Sequence, residues 1–112
     1  MFMLQKDIFL KTEGDEWYKR NEKKLKKIKS FVDVDQYIEF ISNKNKVLEI
    51  GCASGKKLEY LHKKTTNKNL YGIDPSINAI ESGGKKFPYL NLSVGTADEI
   101  FYKNNFFDII IV

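Results

Sequence analysis

The stretch Glu49-Ile50-Gly51-Cys52-Ala53-Ser54-Gly55 places one carboxylate and two glycines directly after an apolar run. A strand that feeds a glycine-containing loop and then a helix suits an anionic or nucleotide-like ligand. Small residues let the ligand approach the backbone, and the helix N-terminus offers free N–H groups. Two more acids follow apolar runs, Asp74 in Tyr71-Gly72-Ile73-Asp74 and Asp98 in Gly95-Thr96-Ala97-Asp98, while Asp108 opens the run Ile109-Ile110-Ile111-Val112. An ionised carboxylate at such a place accepts charge-assisted hydrogen bonds from ligand hydroxyls or amines. Each acid also has a purely structural reading: Glu49 as a strand residue, and Asp74 and Asp98 as helix caps. Asp108 reads as structural, since ligands gather beyond the carboxyl ends of strands and it stands at a strand's start. The lone cysteine, Cys52, has no partner for an internal disulfide, and with the lone His62 it cannot make a zinc site. Cys52 is read as a small buried filler and His62 as an exposed helix residue.

The spacing narrows the ligand class. It argues against a phosphate-gripping loop of the form G-x4-G-K-[S/T], because three residues separate Gly51 from Gly55 and Lys56 is followed by Lys57. The dinucleotide fingerprint G-x-G-x-x-G needs glycine at positions 53 and 56, where Ala53 and Lys56 stand. An NAD-type Rossmann domain is kept as the alternative, together with a non-catalytic cofactor-binding or interaction module. The stretch instead resembles motif I, [D/E]-x-G-x-G-x-G, of the class I S-adenosylmethionine-dependent methyltransferases, with Glu49, Gly51 and Gly55 matching and Ala53 departing by one methyl group. Three further landmarks follow in order. Tyr71-Gly72-Ile73-Asp74 resembles the second strand with its ribose-binding acid, Gly95-Thr96-Ala97-Asp98 the adenine-contacting segment, and Phe107-Asp108-Ile109-Ile110-Ile111-Val112 the fourth-strand motif.

The resemblance implies a methyltransferase whose cofactor, S-adenosyl-L-methionine, lies against Glu49, Gly51, Cys52, Ala53, Gly55, Asp74, Pro75, Ala97 and Asp98. It implies that Asp74 takes both ribose hydroxyls and that Asp98 takes the adenine amino group, with Leu92 or Ile77 beside the ring. Trp17-Tyr18-Lys19-Arg20-Asn21 is similar to the leading helix of sugar-associated members. That similarity adds Arg20, toward the cofactor carboxylate, and Tyr18 or Trp17, over the methionine arm. The acceptor it implies is a small molecule or a sugar. No catalytic residue is assigned.

These residues need elements to hold them. From Lys46 onward, short apolar runs alternate with helical patterns, the signature of βαβ units and a parallel sheet. The expected strands are Val47 to Ile50, Leu70 to Ile73, Leu90 to Val94 and Asp108 to Val112, the last following an Asn104-Asn105 turn. One helix carries Leu58 and Leu61. Another carries Ile77 and Ile80, begins near Pro75 and is closed by Gly83-Gly84. Before residue 46, Tyr18, Leu25, Ile28 and Val32 share one helical face, and Val34, Tyr37, Ile38 and Ile41 share another, with Asp33 and Gln36 as a capping box. The predicted fold is α/β: a Rossmann-like core over 46–112, in the strand order 3-2-1-4 that the family resemblance implies, preceded by a helical segment over 1–45.

Composition agrees with one small globular unit. The chain has 112 residues, 42% hydrophobic and 30% charged, and a net charge of +4 from 19 basic and 15 acidic residues. No run approaches the ~20 apolar residues of a membrane span, and Lys6 and Asp7 interrupt the start, so a cytoplasmic chain without membrane partners is expected. The basic run from Lys23 to Lys29 is flanked by acids and lacks interleaved aromatics, which favours a solvated helix face over nucleic-acid binding. The apolar terminal run is expected to end a cofactor-binding half whose later strands are missing. Its exposed edge is expected to promote self-association.

Overall fold

The computed structural model describes residues 15–24, 31–97 and 106–112. Helix α1 covers 15–24, and α2 spans Val32–Tyr37 and runs into a 3-10 turn, Ile38–Phe40. Strand β1 (Val47–Ile50), helix α3 (Lys56–Thr65), β2 (Leu70–Asp74), α4 (Ile77–Lys86), β3 (Asn91–Val94) and β4 (Ile109–Ile111) follow. The strands form one sheet in the order β3-β2-β1-β4, and every pairing is parallel. This is the predicted α/β architecture.

β1 is central because its sequence allows it. Val47 and Leu48 are fully buried, as a strand covered on both faces requires, with Val47 beside Leu70 on one flank and Ile109 on the other. Val34, Ile41, Val47, Cys52, Leu58, Leu61, Leu70 and Leu90 make one continuous core, so the 31–41 segment packs onto the sheet rather than around a core of its own. At the foot of the sheet, Lys46 N–H donates to Asp108 Oδ2 at 2.7 Å and Asp108 N–H to the Lys46 carbonyl at 2.8 Å. These bonds give Asp108 the structural role read for it.

Several local expectations are corrected. Gly83-Gly84 does not end α4, which continues to Lys86. Gly83 is glycine because a Cβ there would lie 2.2 Å from the Ser54 carbonyl oxygen, so the helix can cross the 51–55 loop only without a side chain. The N-cap of α4 is Ser76, whose hydroxyl accepts from Ala79 N–H at 3.0 Å, so Pro75 lies just outside the helix. The Asp33-Gln36 capping box does not form. Phe31 stands at the N-cap of α2, and Asp33 is spent on an ion pair with Lys57 at 2.7 Å. Val32 opens α2 and is exposed, so it does not continue the Tyr18 face; Leu25, Ile28 and Lys26, Lys27 and Lys29 lie outside the described residues. His62 is half-buried rather than exposed, with Nδ1 2.7 Å from the Asn67 carbonyl and its ring against Tyr89. The Asn104-Asn105 turn also lies outside the described residues.

Candidate functional site

The 51–55 loop sits at the carboxyl end of β1, where ligands of open α/β sheets gather. Gly51 and Cys52 N–H both donate to the Ile73 carbonyl, at 2.8 and 3.0 Å, which staples the loop to β2. The chain then turns through positive φ at Gly51 (79°), Ala53 (51°) and Gly55 (89°). Glycine meets that demand at two of the three positions. At the third, Ala53 occupies left-handed space at a cost of about 1–2 kcal/mol. A bond offsets part of that cost: Ala53 N–H donates to Asp74 Oδ1 at 3.0 Å.

Asp74 joins the parts of the site. Its Oδ1 holds the loop, its Oδ2 accepts from Ser76 N–H at 3.0 Å, and its main-chain carbonyl accepts from Gly95 N–H at 3.0 Å. A carboxylate offers about four acceptor positions, so roughly two stay open after these two N–H bonds, enough for a pair of vicinal hydroxyls. Burial raises the Asp74 pKa, and the Ser76 and Ala53 N–H groups counter that rise.

A groove of about 130 Å³ opens beside the loop, lined by Trp17, Phe31, Glu49, Gly51, Cys52, Ala53, Ser54, Lys56 and Lys57. It is smaller than the ~300–1,000 Å³ of pockets that enclose a drug-sized ligand, and so suits one arm of a larger molecule. Glu49 is 6% exposed and its Oε1 has no hydrogen-bond partner. Burial pushes its pKa up to about 7, although the Lys57 ammonium pulls the other way. A buried carboxylate oxygen without a donor is costly, and a cationic N–H group in the groove would supply one. Gly51 adds open space, with nothing within 4 Å of where a Cβ would stand. Lys57 is engaged by Asp33, and Lys56 also lines the groove.

Of the residues singled out from sequence, Glu49, Gly51, Cys52 and Ala53 line this groove, and Asp74 is bonded to it through Ala53. Gly55 forms the N-cap of α3, packed on Leu90 and Leu92. Cys52 is buried and its thiol pKa is raised by that burial, in keeping with a filler. Leu92 packs against Gly55 of the loop and Gly83 of α4, whereas Ile77 is exposed. Pro75 is half-buried and Ala97 exposed; Asp98 lies outside the described residues. Tyr18 is buried and does not line the groove, which Trp17 does. Arg20 is exposed on α1, one turn beyond Trp17. Asp15, Phe31, Ser76 and Lys57 were not singled out from sequence, because nothing in their spacing distinguishes them from surface or cap residues.

The family described as "Methyltransferase domain" matches residues 47–112, the whole span from β1 through β4. The chain belongs to this methyltransferase-domain family. No curated protein matches it. Among solved structures, the methyltransferase domain is similar to the MccD protein, at 25% identity and TM-score 0.62 over 69% of this chain and 37% of that one. It is similar to the methyltransferase bound to the Haloferax volcanii Trm112 activator, at 17% identity and TM-score 0.73 over 90% and 45% of the two chains. It is also similar to the plantazolicin methyltransferase BpumL, solved with a monoazolic analog and SAH, at 20% identity and TM-score 0.58 over 93% and 46%. The chain thus spans less than half the length of each of these proteins. Among the described residues, no helix of this methyltransferase domain is long and apolar enough to cross a membrane, and no acid, His or Cys cluster could hold a metal ion.

Proposed function

We propose that this methyltransferase domain binds S-adenosylmethionine and forms the cofactor-holding part of an enzyme that methylates a small molecule, with a sugar as the favoured acceptor. The observation that carries the reading is the pair of carboxylates at one sheet end: Asp74, with acceptor positions to spare, and Glu49, with a buried oxygen lacking a donor. Acids in these places suit a ligand with ribose hydroxyls and a cationic amino-acid arm. Asp74 would suit the ribose of either cofactor, whereas the Glu49 carboxylate beside the loop opposes a pyrophosphate there, which counts against the NAD-type alternative.

Asp74 takes the ribose hydroxyls while its N–H bonds hold the loop in shape. Glu49, ionised, accepts from the ammonium group, and Gly51 lets the methionine arm lie on the backbone. Trp17 covers that arm, and Lys56 or Arg20 balances the cofactor carboxylate. When bound, the cofactor would supply a methyl group activated by its sulfonium. The domain contributes placement and exclusion of water. The sugar reading rests on the resemblance of Trp17 to Asn21 to the leading helix of sugar-associated relatives.

Isothermal titration of the chain with S-adenosylmethionine, S-adenosylhomocysteine (SAH) and NAD tests the reading. Binding of the first two with none of the third is expected. A folded chain that ignores both sulfur nucleosides overturns it.

A further inference from the structure

The N-terminus of α4 is closed by a residue from far upstream. Ser76, fully buried, donates its hydroxyl proton to Asp15 Oδ1 at 2.6 Å, and the same oxygen accepts from Asn78 N–H at 3.2 Å. The Ser76 hydroxyl in turn accepts from Ala79 N–H at 3.0 Å, while Ser76 N–H holds Asp74 Oδ2 at 3.0 Å. Asp15 and Ser76 together satisfy two of the N–H groups that a helix start leaves open, and a carboxylate is favourable at that end of the helix dipole.

We propose that Asp15 is a positioning residue for the ribose-binding carboxylate, acting on Asp74 through Ser76. A hydroxyl has one proton to give, and Ser76 gives it to Asp15. Ser76 therefore touches Asp74 only through its backbone N–H, and the remaining Asp74 acceptor positions stay open to a ligand. Asp15 also stands two residues before Trp17 on α1, so the same bonds that fix Ser76 fix the helix that sets Trp17 over the groove. Cofactor recognition is thereby tied to docking of the leading helix, although the family match begins only at residue 47.

This role rests on the cofactor reading given above, and the experiment separates the two. SAH is titrated calorimetrically into the wild-type chain and into Asp15→Ala, Asp15→Asn and Ser76→Ala, with the thermal midpoint of each ligand-free protein measured alongside. Asp15→Ala and Ser76→Ala are expected to weaken SAH binding by about fivefold to tenfold, the size of one or two lost hydrogen bonds. Asp15→Asn keeps an oxygen acceptor at the same place and is expected to bind within about twofold of wild type. A merely structural Asp15 would lower the ligand-free midpoint of Asp15→Ala and leave the SAH affinity of the folded protein unchanged; that result overturns the proposal. If Asp15→Ala does not fold, unchanged affinity in Ser76→Ala overturns it equally. Failure of the folded wild-type chain to bind SAH instead removes the cofactor reading, and the role of Asp15 with it.

Discussion

Glu49 is the residue whose environment departs furthest from what its type prefers. It interrupts a strand otherwise made of Val, Leu and Ile, and its carboxyl is held near pKa 7 by burial. The folded chain therefore keeps a proton there that the unfolded chain loses above its ordinary value of 4.5. Between those two pH values stability falls as pH rises, by on the order of 3 kcal/mol in all. Glu49→Gln is expected to lack this slope, so that urea unfolding finds the variant no worse than wild type at pH 5 and more stable at pH 8. In the wild type, a cationic ligand that favours the ionised acid should bind more tightly at pH 8 than at pH 6. The place of Glu49 before Gly51, at the end of a strand, was legible in the sequence. That it lacks a partner was not, because the groove it lines is completed by Trp17, Phe31 and Lys57, which pattern alone does not bring there. Ala53 teaches the same lesson: the motif marked its departure from glycine, but only the backbone shows that the left-handed turn is kept and is bonded to Asp74.

At the scale of elements, the strands were readable because their apolar runs are short and bounded by turn residues. The strand order followed from the family resemblance. Helix ends were less legible. Gly83-Gly84 has the composition of a stop signal, yet α4 passes through it, because the helix must lie against the Ser54 carbonyl with no intervening methyl. Close approach, not termination, is the reason for glycine at 83. Gly83→Ala should improve intrinsic helix propensity and still destabilise the domain, by about 3 kcal/mol, since overpacking against backbone cannot be relieved by a rotamer change. Gly84, with open space around it, is the internal control: Gly84→Ala should be neutral or stabilising. Chemical denaturation of the two variants side by side checks both directions. The Asp33 capping box failed for a related reason, a tertiary ion pair with Lys57 outcompeting a local cap.

For the whole molecule, the two sheet edges differ. β3 presents Asn91 and Ser93 outward, whereas β4 is Ile109-Ile110-Ile111, followed by a Val112 that is 97% exposed. A groove of about 450 Å³ runs along β4, lined by Asp33, Tyr37, Phe40, Ile41, Ile109, Ile110, Ile111 and Val112. Among the described residues β4 pairs with β1 alone, and an apolar edge of this kind templates strand addition. The chain is expected to associate as its concentration rises, and Ile110→Lys, a charge on that edge, to return it to monomer in sedimentation velocity. A wild-type chain that stays monomeric across the concentration range would refute this. The arrangement also carries a consequence in time. β1 gains β2 from the chain that follows it closely, and β3 adds to β2, but the other flank of β1 waits for β4, which Asp108 ties to Lys46 across 62 residues. Long-range closures of this sort come late in folding. During that wait the central strand of the sheet is itself a bare edge, with Val47 and Leu48 open to pairing with another copy before the native sheet closes over them.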